Sequence, residues 1–569
     1  MWRRYFVFTL IVLGFVLIIV RLFSIQVSGH SFFSEIANRQ QTIKSKIIPD
    51  RGKILTIDPK SNHQRILATN KTFWNIYAVP REIKNPQAVS KQLSSILLID
   101  EKKVLNRLSR PNDPYEPIKK RAEKEIWQRI KDLHLQGIYA RPSQWRWYPQ
   151  EEFFSHILGF LGENQKGING SYGLEEFYDP ILSGQEGSIL LSHDALGHFI
   201  WFHKKEIQIG RDGSNLILTI DPNIQYLATQ ELKKTIDKWD ADSGCVIVME
   251  PQTGKVLAME SWPLFNPNQY NQVKDEKVFL NTCIQKSFEP GSVIKPITIA
   301  AAIDAGKITP ETTYVDRGFV KIGPYKIKNA ANKVYGESDM NKVLEKSINT
   351  GAIFAEEKLG HRLFRRYLKK FGFGEKTGID LAGEVSGSIK NLSDLRSKIN
   401  FATAAFGQGI MTTPIQMIQA VAALANGGNL IKPYIVREII HPDGQKEEIK
   451  PKIIRRVIKE ETSQTLIKML TQVIKKGYPW IKTGQIYSLA GKTGTAQVSW
   501  AYLGENKSGY SNQTIHSFVA FAPADHPKFI FYLKIDNPKE INFAANSLSY
   551  FVDDLSRKLL DYFEVQPKT

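Results

Sequence analysis

Gly244-Cys-Val-Ile-Val-Met-Glu250-Pro-Gln-Thr-Gly254-Lys-Val-Leu-Ala-Met-Glu-Ser261 is the stretch from which the architecture can be read. Its first seven residues have strand composition, Pro251 to Gly254 is a turn, and Lys255 to Ser261 is a second strand. The segment therefore predicts a hairpin feeding an antiparallel sheet. Toward the C-terminus, helical spacing follows over 292–305, 340–359, 362–371 and 414–425. Strand composition returns at 488–498, 517–521 and 529–535, and 546–562 reads as a closing helix. Strands, a helical block and then strands again predict an α+β domain with helices packed on the sheet. Toward the N-terminus, Asp221 caps a helix that has Pro222 at its first position. Before it, short strands at 189–192 and 216–220 alternate with charged helices, among them one over 119–133, and 31–45 reads as a polar helix. The two regimes meet near 210–220.

A chain of 569 residues is too long for one core. Tyr5 to Val20 is uncharged and apolar, and Leu22 and Phe23 extend it past Arg21, whose stem can snorkel. Arg3 and Arg4 place the N-terminus in the cytoplasm. Residues 1–25 are thus a cytoplasmic tip and transmembrane anchor, and the remainder is expected on the outer side of the plasma membrane. The net charge of +19 is uneven: residues 1–150 carry 26 basic and 11 acidic side chains, residues 151–569 carry 50 and 46. A basic portion beside an anchor fits anionic lipid or polymer, and no nucleic-acid module is present. Cys245 and Cys283 are too few for a disulfide framework, and whether they pair stays open. Cys245 reads as core. His156 and His516 lack metal-ligand spacing and there is no P-loop, so no metal or cofactor is expected.

Three short patterns carry chemistry. Ser292-Val-Ile-Lys295 follows the turn Phe288-Glu-Pro-Gly291 and opens a helix. A hydroxyl there meets free N–H groups, and i,i+3 spacing puts Lys295 on the same face. A desolvated lysine can act as base. By itself the pattern equally describes a helix N-cap. Ser347-Ile-Asn349 lies between helical stretches; its hydroxyl could relay a proton and its amide could hold a substrate amide. Lys-Thr-Gly occurs at 376–378, 482–484 and 492–494. The first sits in a Gly-rich turn and the second in a polar loop. Only Lys492-Thr493-Gly494 lies in a strand, where an edge can offer a cation, a hydroxyl and N–H groups in line. Gly494 would admit close approach of a ligand.

In this order, the three patterns resemble the motifs of penicillin-binding proteins and serine β-lactamases. Phe288 to Pro296, Phe406-Gly-Gln-Gly-Ile410, Ala422 to Gly428 and Ala490 to Gln497 resemble class B penicillin-binding proteins, as does Gly374 to Gly383 around the Lys376 copy. Pro49-Asp-Arg51-Gly52-Lys-Ile54 is similar to the family's RGxI segment, and Tyr172-Gly-Leu-Glu175 to its pedestal GLE. Two departures, Thr56-Ile-Asp-Pro-Lys60 and Glu151 after Tyr148-Pro149, bear on the pedestal. The resemblance implies a pedestal (dimerisation-type) domain over 26–215 and a transpeptidase domain over 216–569. It also implies a peptidoglycan D,D-transpeptidase acting on stem peptides ending in D-Ala-D-Ala and trapped by β-lactams. In it, Ser292 is the nucleophile, Lys295 the base, Ser347 the relay, Asn349 the substrate-amide anchor and Lys492 the source of positive potential. Thr493, Gly494 and Thr495 line the substrate carboxylate, and the N–H groups of Ser292 and Thr495 hold the oxyanion. Its partners would be a membrane glycosyltransferase and a division or elongation complex. The alternatives are a D,D-carboxypeptidase or β-lactam hydrolase on the same fold, or a non-catalytic scaffold for a glycosyltransferase.

Overall fold

The computed structural model describes residues 1–110, 112–164, 167–192 and 206–567, and the chain divides into two compact units. The first comprises Met1–Gly52 and Ser183–Ser214. Its helix α1 (Trp2–Phe23) continues through Ser28, is long and apolar enough to cross a membrane, and buries no side chain against protein. A second helix, His30–Gln41, ends sooner than its polar composition predicts. The chain becomes a strand at Thr42–Ile47, paired antiparallel with Gly187–Ser192, so a distant strand overrides local helical spacing. Sequence expectations over 193–205 lie outside the described residues.

The second unit comprises Lys53–Leu182 and Asn215–Thr569. Strands β1 (Gln64–Ala78), β2 (Glu116–Ala122) and β3 (Ile138–Trp147) pair antiparallel, with β1 in the middle. Their inward residues Ile76, Ala78, Ile118, Ala122 and Ile138 pack with helices Pro86–Leu97, Glu101–Leu108 and Lys124–Asp132 in a separate core. The helical spacing read into 119–133 begins only at Lys124, because 116–122 is drafted into this sheet. The sheet continues from β1 through Ile54–Ile57 to Asn215–Leu218 and Val436–Ile440. Segments nearly 400 residues apart thus share one hydrogen-bonded layer.

Helix α2 (Pro222–Trp239) starts where Asp221 accepts the N–H groups of Asn223 and Ile224. The hairpin is β4 (Ser243–Met249) and β5 (Val256–Trp262). It joins a five-stranded sheet ordered β5-β4-β8-β7-β6, with β6 (Ala490–Ser499), β7 (Tyr510–Ala522) and β8 (Phe529–Asp536). Every residue of β8 is buried, as expected for a central strand covered on both faces. Helix α2 packs on β4 and β5, and the closing helix α8 (Ala544–Tyr562) packs on β7. A wholly buried helix, α7 (Pro414–Ala425), also packs against the sheet; Thr413 and Gln416 cap it reciprocally. The helical block holds α3 (Lys295–Asp304), α4 (Met340–Glu345), α5 (Asn349–Leu359) and α6 (His361–Lys370). Cys245 on β4 and Cys283 form a disulfide, which settles their pairing.

Candidate active site

Ser292 lies one turn earlier than a regular helix start would put it. Gly291–Ile294 is a tight 3₁₀ turn, and α3 begins only at Lys295, correcting the single helix over 292–305. Two glycines let neighbouring segments press on this turn. Gly407, at φ +90°, lies so close that a Cβ would stand 2.1 Å from Gly291 O. The Gly291 N–H donates to Gly407 O at 3.0 Å. From the other side, a Cβ on Gly494 would meet Pro290 O and Val293 Cγ1 at 2.9 Å each. The close approach that Gly494 permits is therefore made by the protein's own Ser292-bearing turn. Strand β6 thus runs directly beside Ser292.

The predicted helix over 340–359 is interrupted. Ser347 sits between α4 and α5 with φ +57°, a left-handed backbone that costs a non-glycine residue about 1–3 kcal/mol. That conformation turns its carbonyl and hydroxyl toward the same ammonium group. Lys295 Nζ donates to Ser347 O at 2.5 Å, to Ser347 Oγ at 3.2 Å and to Asn349 Oδ1 at 2.8 Å. Lys492 Nζ donates to the same Ser347 Oγ at 3.0 Å and to Thr493 O at 3.1 Å. Accepting from two lysines occupies both lone pairs of that oxygen and leaves its hydrogen to be donated. The Ser292 hydroxyl makes no hydrogen bond with the described residues, and Lys295 is directed at Ser347 and Asn349.

Both ammonium groups are completely buried. Burial, and the like charge of Lys492, hold Lys295 well below the usual lysine range. Burial brings Lys492 down to about 7. Both shifts favour the neutral amine, the form in which a lysine can accept a proton.

Several supporting groups were not legible in the sequence. Asn349 Nδ2 donates to Lys328 O at 3.0 Å, and the N–H groups of Asn349 and Thr350 donate to Asn329 Oδ1. Asn329 in turn donates to Asp316, which also accepts from Thr350 Oγ1 at 2.7 Å. Asp316 and Asn329 therefore secure the start of α5. Thr493 and Thr495 flank Gly494 on β6. Thr493 Oγ1 pairs with the hydroxyl of buried Tyr478 at 2.6 Å, and Thr495 Oγ1 accepts the Ala544 N–H at 2.9 Å. Glu289, raised above the usual carboxylate range by burial, accepts from Gly409 N and Tyr510 Oη. It ties the 406–410 loop to β7. Asp316, Asn329, Tyr478 and Tyr510 carry no sequence signal of their own, since each acts on a segment remote in the chain.

The other Lys-Thr-Gly copies lie elsewhere. Thr377 Oγ1 donates to Glu384 in a closed turn. Lys482 opens a short helix rather than a loop, and Thr483 N donates to Asp553.

Residues 244–552 match the family model described as the penicillin binding protein transpeptidase domain, more than half of the chain. Residues 46–218 match the penicillin-binding protein dimerisation domain. Over all of its length the chain is 33% identical to "Stage V sporulation protein D" of Bacillus subtilis, covering 86% of that protein. The chain belongs to the class B penicillin-binding proteins. It is also 28% identical to "Peptidoglycan D,D-transpeptidase FtsI" of Escherichia coli, over 85% of this chain and 79% of the relative. Penicillin Binding Protein 2X from Streptococcus thermophilus has a similar fold, with a TM-score of 0.74 at 23% identity over 91% of this chain and 80% of that one. In this class B penicillin-binding protein the mixed α+β architecture agrees with the order of elements read from the hairpin outward.

Proposed function

We propose that this serine-type D-Ala-D-Ala transpeptidase works through Ser292, and that Lys295, Ser347, Asn349 and Lys492 form its proton-handling group. The observation that supports this reading most is the convergence of two buried lysines on one hydroxyl, Ser347 Oγ, beside the Ser292 turn. Neutral Lys295 takes the Ser292 proton as Oγ attacks the penultimate carbonyl of a peptidoglycan stem peptide. The oxyanion is held by the N–H groups of Ser292 and Thr495, each such donor contributing about 3–4 kcal/mol. Ser347, left with its own hydrogen, passes a proton to the departing D-Ala. Asn349 orients the substrate amide, and Lys492, Thr493, Gly494 and Thr495 receive its carboxylate. A neighbouring stem-peptide amine then takes the acyl group, completing the cross-link.

The same reading divides the chain into an anchor (1–25), a pedestal (26–215) and a transpeptidase domain (216–569). It puts the catalytic part outside the plasma or inner membrane on a single-pass anchor, beside a membrane glycosyltransferase in a division or elongation complex. Intact-mass measurement of the full chain in detergent, after incubation with benzylpenicillin, tests the nucleophile. A stable adduct of the drug's mass is expected on the wild type and none on Ser292→Ala. An adduct that persists on Ser292→Ala would sink the assignment, and rapid drug turnover without an adduct would favour hydrolysis.

A further inference from the structure

One face of the β1–β2–β3 sheet rests on the helical core described above. The other carries a continuous series of aromatic and cationic side chains. Antiparallel register places Tyr77 opposite Tyr139, Asn75 opposite Arg141 and Lys71 opposite Trp145. Residues directly opposite share a face, so these pairs stand together on the side away from the helices. At one end Tyr77 lies 4.9 Å from the Tyr115 ring and 5.8 Å from the Tyr139 ring, with the Arg141 guanidinium 5.5 Å from its centroid. At the other, the Arg121 guanidinium is 3.9 Å from the Trp145 ring, and Lys71 Nζ is 4.8 Å from that of Trp147. From Tyr139 to Trp147 the series extends about 26 Å at the rise of an extended strand.

Two features distinguish this surface from an ordinary solvated face. Tyr115 and Tyr139 are 49% and 42% exposed, whereas rings of this size are more often packed away. Lys71 is paired with Glu123, but no carboxylate stands within 4 Å of Arg121 or Arg141 among the described residues.

We propose that this face binds the uncross-linked glycan strand of the enzyme's own polymer, an inference that rests on peptidoglycan being the substrate. The flat C–H faces of sugars pack on exposed aromatic rings. Carboxylates of the pendant stem peptides meet Arg121 and Arg141, and sugar hydroxyls meet the remaining donors. Charge complementarity favours this occupant: the excess of 26 basic over 11 acidic side chains in residues 1–150 includes these very groups. Holding the strand here raises its local concentration, as a second binding module does.

The full chain in detergent, first acylated with benzylpenicillin to block the catalytic cleft, is sedimented with purified sacculi. Tyr115→Ala, Tyr139→Ala and Arg141→Ala are each expected to weaken co-sedimentation about tenfold. Tyr139→Phe, which keeps the ring and loses only the bond to Glu82, should sediment like the wild type. All four should form the penicillin adduct at the wild-type rate. Alanine variants that sediment normally while forming the adduct would overturn the glycan surface alone. So would release of the wild type by a single-stranded oligonucleotide at equal charge concentration, which would mark the face as a general polyanion surface. Failure of the wild type to form any adduct would instead remove the transpeptidase reading on which the inference rests.

Discussion

In the proposed mechanism, pH dependence turns on Lys295 and Lys492. Both are buried, and both donate to Ser347 Oγ. A depressed lysine pKa means that the base form appears at lower pH than in water, and acylation falls as pH drops through that value. The positive charge of Lys492 contributes to the depression at Lys295. Removing it with Lys492→Ala therefore lets Lys295 hold its proton to higher pH. The acid limb of the benzylpenicillin acylation rate is expected to move upward in pH, even where the absolute rate falls. A stopped-flow pH profile in which the limb stays put or moves downward would refute the electrostatic coupling. At this scale, the residue types and spacings singled out Ser292, Lys295, Ser347, Asn349 and Lys492 as candidates from the chain alone. That Lys295 bonds Ser347 and Asn349 rather than Ser292 was not readable, because i,i+3 spacing fixes only a shared helical face, and side-chain direction depends on which acceptors other segments supply.

Among the elements, the Gly291–Ile294 turn is confined between the 406–410 loop and strand β6. Gly407→Ala forces a Cβ into the backbone of Gly291, in addition to the left-handed strain at φ +90°. Overpacking of this kind costs about 1–3 kcal/mol. A displacement of about 1 Å in a reacting group costs on the order of 10²-fold in rate. Acylation by benzylpenicillin should therefore fall about 10²-fold while calorimetry records only a modest drop in unfolding temperature. Equal acylation rates would mean that the loop does not position Ser292. Element types were largely legible where apolar periodicity was strong, as in the β4–β5 hairpin, α2 and α8. They were misread at 42–45 and 119–122, where sheet pairing with distant strands outweighed helical spacing, and at 346–348, where the Ser347 break serves the lysine contacts.

For the whole molecule, the second unit is held by non-local pairing. Its seven-stranded sheet joins residues 54–78, 116–147, 215–218 and 436–448, and one continuous core extends from Ile54 to Leu560. The Cys245–Cys283 disulfide adds a covalent tie between β4 and the segment leading to Ser292. Closing a loop of 38 residues is expected to contribute about 3–4 kcal/mol by restricting the unfolded chain. The Cys245→Ala, Cys283→Ala double variant should unfold at lower denaturant by that amount and still be acylated by benzylpenicillin, since neither sulfur touches the site residues. Unchanged stability in denaturant titration would show that the bond merely follows from the fold.

The amino-acid sequence by itself determined the apolar N-terminal helix, the α+β order of elements, the basic bias of the first 150 residues and the three motifs. These depend on composition and on spacings of a few residues, which the backbone periodicities translate directly into faces and turns. Only the tertiary structure decided which distant groups meet. It brought one Lys-Thr-Gly copy of three to Ser347, supplied Asp316 and Asn329 beneath α5, joined the two cysteines and aligned the tyrosines and arginines of β1, β2 and β3 on one face. The physical reason is that burial and sheet registry are properties of the packed whole, so contacts between segments up to hundreds of residues apart leave no trace in local pattern.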